Sequence, residues 1–145
     1  MLSYIFQYLV DQGGKWSAQA ANDYMATILP EYSEANGNMV ELIICNNDGM
    51  AEGAVSALQG AGYNTGDGKT IPVFGVDATD SAKQLINEGK MTGTIKQDAE
   101  GMASTILNLV SSVQGGGELM DNTSSFNVDE GVAKIRVPYA TYTGE

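Results

Sequence analysis

Four side chains in this sequence have the types and the placement to grip a neutral, hydroxyl-rich ring: Trp16, Asn47, Asp77 and Gln97. Asn47 follows the apolar run Ile43-Ile44-Cys45, Asp77 follows Val73-Phe74-Gly75-Val76, and Gln97 comes just after Gly93-Thr94-Ile95. A carboxylate accepts twice and a carboxamide both donates and accepts, so together they can hold neighbouring hydroxyls. An indole face packs against the C–H surface of a ring. Each residue also has a plainer reading. Asn47 and Asp77 at strand ends could cap helices or brace turns, Gln97 could be solvated surface, and Trp16 could be core.

A second chemistry is suggested by Gly68-Lys69-Thr70, which looks like the end of a phosphate-binding loop. The spacing fails, because the first glycine of that motif should stand where Tyr63 does, and Gly62 is one place early. The context fails as well. A phosphate cradle needs a strand before the loop and a helix N-terminus after it, whereas here a helical pattern enters the loop and a β-rich segment leaves it. The glycines are read as a helix-to-strand turn.

The chain has no histidine, the commonest general base and metal ligand. Its single Cys45 lies in an apolar run and reads as a small buried hydrophobe. No Ser-His or Cys-His pair, nucleophile elbow or metal cluster is visible, so no enzyme is expected. Eighteen acidic against seven basic side chains give a net charge of −11, which repels nucleic acid and anionic membranes. No run is long enough to span a membrane. The apolar opening, residues 1–10, lacks the basic start and small-residue cleavage site of a signal peptide and suits a strand. No secretion address is expected in the chain as written.

The elements that must position the four residues follow from periodicity. With 145 residues, 43% hydrophobic and 17% charged, one globular domain is expected. Strands are expected over residues 3–10, 40–45, 71–76, 91–95 and 132–139. Helices are expected over 18–28 after the cap Ser17, 49–58 after Asp48, 81–88 after Asp80, and 99–113 after Asp98. Strands alternating with helices in this way make right-handed βαβ units and a parallel sheet, an α/β domain. In open sheets of that kind the working groups sit beyond the carboxyl ends of the strands, where Asn47, Asp77 and Gln97 fall.

Longer segments carry a resemblance. KWSAQA (15–20), VELIICNNDGMAEGAVSAL (40–58), IPVFGVDA (71–78), GTIKQD (93–98) and IRVPY (135–139) resemble, in order, the C-terminal half of the galactose/glucose-binding proteins. These are the type I periplasmic binding proteins that serve as sugar receptors of ABC transporters. The resemblance implies a periplasmic-binding-protein-like I fold, a three-layer α/β lobe around a parallel sheet, and a monosaccharide ligand. Trp16 would be the stacking aromatic, and Asn47 and Asp77 partners of sugar hydroxyls. Gln97 stands where the family usually has a ligand-contacting asparagine, one methylene shorter, which bears on the sugar preferred. Glu41 matches a glutamate of the calcium site of some members. The remaining ligands come from an Asp/Asn-rich loop this chain does not contain, so no cofactor is expected and Glu41 reads as surface.

The resemblance also implies a partial lobe across residues 1–145, lacking the first strand and first helix of its kind, with 99–125 matching a segment that crosses to an absent N-terminal lobe. The absent strand would lie between those matching 3–10 and 40–45. Its loss exposes apolar edges, and the stripe Met102, Ile106, Val110 and Val113 loses its cover, so self-association is expected. A permease partner and a periplasmic or extracellular location are implied for a full receptor. The effector lobe of a LacI-type regulator shares the fold and is the alternative, against which stand the lack of a helix-turn-helix and of a basic patch.

Overall fold

The computed structural model describes residues 7–11, 13, 15–129 and 131–145. These divide into two units, residues 1–94 with 142–145, and residues 95–141. In the first, α1 (Ala18–Glu31) begins at Ser17, whose hydroxyl accepts from Ala20 N at 3.4 Å. It runs three residues past the expected end and takes in Pro30 in its last turn, where the ring forfeits a helical hydrogen bond. A short 3-10 turn (Glu34–Asn36), β1 (Ile43–Ile44), α2 (Asp48–Gly60), β2 (Val73–Val76) and α3 (Asp80–Asn87) follow. β3 (Gly93–Lys96) and β6 (Ala140–Tyr142) straddle the division. The main sheet has the order β1-β2-β3-β6, with β1 and β2 parallel in the register Ile43 to Val73 and Ile44 to Phe74.

Alternation along the strands decides which face is covered. Ile43, Cys45 and Val73 join Met25 and Leu29 of α1, Val55 and Leu58 of α2, and Ala82 and Ile86 of α3 in one core. Ile44, pointing to the other face of β1, is 76% exposed. α1 lies so close on α2 that a Cβ at Gly53 would collide with the backbone of Ala18, and Asn22 Nδ2 donates to the Gly53 carbonyl at 3.2 Å.

In the second unit, α4 (Ala99–Gln114) is capped by Asp98 as expected, its carboxylate accepting from Gly101 N at 2.9 Å. Ile106, Val110 and Val113 are exposed along it and Met102 is half-buried. Two expectations need correction. The strand expected over 132–139 shrinks to β5 (Ile135–Arg136), which pairs antiparallel with an unforeseen β4 (Asn127–Val128), and the next strand, β6, begins only at Ala140 and belongs to the main sheet. Pro138 lies between them and has no N–H for a ladder. The β4–β5 pair is tied by Arg136, which donates from Nε and an NH2 group to both oxygens of Asp129, at 2.7 and 2.8 Å, and holds that carboxyl below its usual range. The expected strand over 3–10 falls partly outside the described residues. Within them, residues 7–10 pair with no strand, and Tyr8 is exposed. Apolar alternation alone makes no strand without a neighbour to bond.

Candidate functional site

The corner between β1 and α2 brings two of the four residues together. Asn47 has extended backbone, and its Oδ1 accepts from Met50 N at 2.8 Å, so it is Asn47 that caps α2 and not Asp48. Its Nδ2 donates to the main-chain carbonyl of Trp16 at 3.4 Å. The carboxamide still has one N–H and one lone pair beyond those two bonds. Lys15 and Trp16 are both left-handed, at φ 48° and 59°, and this turn leads into Ser17 and α1 with the indole 67% exposed. Trp16 is therefore not core in this fold.

Asp77 closes β2 on the same kind of corner. It and Ala78 are left-handed, at φ 119° and 54°, without being glycine. Such backbone is sparsely populated and persists only when its surroundings over-determine it. The surroundings here are specific: Ala78 N donates to Thr94 Oγ1 at 3.2 Å and Thr79 N to Asp48 Oδ2 at 2.8 Å. Thr79 also caps α3 through Ala82 N at 3.2 Å, a role the sequence pattern assigns to Asp80. Asp77 itself is exposed, and the N-cap of α3 is Thr79. Asp48 thus links the Asn47 corner to the Asp77 corner, and local spacing gave no sign of it.

Gln97 belongs to the second unit, half-buried just beyond β3, with its carbonyl accepting from Ala99 N at 3.1 Å. Asn47 and Trp16 are bonded to each other, and Asp77 lies in the same unit. Glu41 is exposed, and among the described residues no three acidic, Cys or His side chains gather to hold a metal. A concavity of about 540 Å³ lined by Met120, Thr123, Val128 and Asp129 lies in the second unit and contains none of the candidate residues.

The glycine-rich loop is organised by a residue that sequence reasoning missed. Asn64, fully buried and left-handed, accepts from Ile71 N at 2.8 Å and donates to the carbonyls of Ile71 and Lys90 at 2.8 and 3.0 Å. Lys69 is exposed and ion-paired with Glu34. As expected, α2 enters the loop and β2 leaves it. Cys45 is buried, and desolvation pushes its thiol up to about 11.

Comparison with known proteins follows the same lines. Residues 4–118 match the periplasmic binding protein domain family. The D-galactose/methyl-galactoside binding periplasmic protein MglB of Haemophilus influenzae is 34% identical over 133 residues, 92% of this chain and 36% of that protein. An ABC transporter solute binding protein from Bacillus halodurans with bound myo-inositol superposes with a TM-score of 0.64 at 28% identity, over 90% of this chain and 38% of that one. One from Actinobacillus succinogenes with bound D-allose gives a TM-score of 0.59 at 30% identity, over 72% and 34%. The chain spans between 27 and 38% of the length of the curated relatives it matches. These proteins are named for binding and transport, not for catalysis or gene regulation.

Proposed function

The chain belongs to the periplasmic binding protein domain family, and from that premise we propose that it forms one wall of a monosaccharide site in the solute receptor of a sugar ABC transporter. The observation that carries this reading is the paired corner. The Asn47 carboxamide is anchored to the Trp16 carbonyl, and the exposed Asp77 is held in left-handed backbone one strand away. Trp16 offers a stacking face, and Asn47 and Asp77 offer hydrogen bonds to vicinal hydroxyls.

A hexose of the galactose/glucose type is the ligand we favour, on the likeness to the Haemophilus influenzae protein named for galactose. Residues 99–125 would return to a second lobe, and a permease and a periplasmic or extracellular site of action would follow for a whole receptor. One wall binds weakly. Losing three or four hydrogen bonds at about 1.5 kcal/mol each removes about 5 kcal/mol, on the order of a thousandfold or more in affinity. Titration of the chain with D-galactose and D-glucose, followed by NMR, tests the reading: shifts at Trp16, Asn47 and Asp77 in the millimolar range are expected. No shifts at those residues would overturn it.

A further inference from the structure

We propose that Asp48 is a positioning residue for the sugar site, its buried carboxylate holding the left-handed turn at Asp77 and Ala78 and so setting where the Asp77 carboxylate stands. This rests on the reading above that Asp77 binds sugar. Asp48 is 0% exposed at the first turn of α2, where the helix dipole favours a negative charge. It is not spent on capping, since Asn47 caps that helix. Its two oxygens serve the other two strand-end corners. Oδ2 accepts from Thr79 N at 2.8 Å, and Oδ1 accepts from the Thr94 hydroxyl at 2.6 Å. The same Thr94 oxygen accepts from Ala78 N at 3.2 Å. The two amides that follow Asp77 are therefore both held by Asp48, one directly and one through Thr94.

The chain also leaves room for this carboxylate. A Cβ at Gly75, two residues before Asp77, would run into Asp48 Oδ1 and crowd Met91 and Ala51. A glycine in mid-strand weakens the strand, and a close approach such as this accounts for it. An asparagine at position 48 would keep the volume but turn one acceptor into a donor, so that either the Thr79 N–H or the Thr94 hydroxyl would face a donor.

The test uses the full, isotopically labelled chain with two readouts: amide hydrogen exchange without ligand, and titration with D-galactose. In Asp48→Asn, exchange at Ala78 and Thr79 should quicken by about tenfold or more and the sugar affinity should fall by about tenfold, the loss of one hydrogen bond to a charged group. Exchange at Val55 and Leu58 in the core should stay as it was. Thr94→Val should quicken Ala78 more than Thr79, a split that general destabilisation does not produce, and it carries both readouts if Asp48→Asn fails to fold. Unchanged exchange at both amides, or faster exchange with unchanged affinity, overturns the proposal. If the unsubstituted chain shows no titration, the sugar reading and the ligand half of this proposal fall together, while exchange still supports or overturns the brace.

Discussion

The side-chain amide of Asn47 donates to the main-chain carbonyl of Trp16 at 3.4 Å, while its oxygen caps α2 through Met50 N at 2.8 Å. One carboxamide thus starts a helix and fastens the loop that carries the exposed indole. The two functions can be separated by substitution. Asn47→Asp keeps the capping oxygen and should leave the melting temperature nearly unchanged, yet it loses the donor to Trp16 and should weaken sugar shifts. Asn47→Ala should also cost about 1 kcal/mol of stability through the lost cap. Equal stability loss in both variants, measured by denaturant midpoint, would contradict the division.

Asp77→Ala and Trp16→Ala should each remove the sugar-induced shifts while leaving the circular dichroism spectrum as it is, since both side chains are exposed. Lys69→Ala should leave the sugar shifts unchanged and should reveal no nucleotide binding to lose, because Lys69 is an exposed partner of Glu34. An ATP titration that depends on Lys69 would restore the phosphate-loop reading.

Asn64→Ala should destabilise the first unit by roughly 2–4 kcal/mol, because a buried side chain with three hydrogen bonds to backbone leaves their partners unsatisfied. Asn64→Gly should be no milder, although glycine suits the left-handed backbone, φ 50°. A midpoint shift for Asn64→Gly much smaller than for Asn64→Ala would place the effect in the backbone instead.

Cys45 should react slowly with a thiol reagent in the folded chain and fully in denaturant, since burial raises its thiol from 9.0 to about 11. The folded chain holds this proton more tightly than the unfolded chain does. Its contribution to stability is therefore complete below about pH 9 and is lost as pH rises towards about 11. Denaturant midpoints should fall across that window, and Cys45→Ala should flatten the fall. A fall as steep in Cys45→Ala would assign it to other groups.

The exposed Ile44 on β1, the end strand of the sheet among the described residues, and the exposed Leu42 just before it should drive self-association. With a net charge of −11, association should strengthen as salt screens repulsion. Ile44→Lys should return the chain towards monomer in sedimentation. A sharp monomer boundary for the unsubstituted chain in moderate salt, with no binding of a hydrophobic dye, would show that the exposed face needs no partner.

The sequence alone determined the α/β alternation, the caps Ser17 and Asp98, and the positions of β1, β2 and β3. It also placed Asn47 and Asp77 at strand ends. All of these depend on spacing within a few residues, which periodicity and capping chemistry report directly. Tertiary structure decided the rest. Between the neighbours Asn47 and Asp48, either of which caps a helix well, the choice went to Asn47 because donors 31 and 46 residues away, Thr79 N and the Thr94 hydroxyl, claim the Asp48 carboxylate. The strand expected over 132–139 keeps only Ile135 and Arg136, because Asn127 and Val128 offer them a partner and Pro138 interrupts the run before β6. The left-handed turn at Asp77 is held by bonds from two other corners of the sheet. Hydrogen bonds of that kind form only when the chain returns on itself, and the spacing of residues along it carries no record of the return.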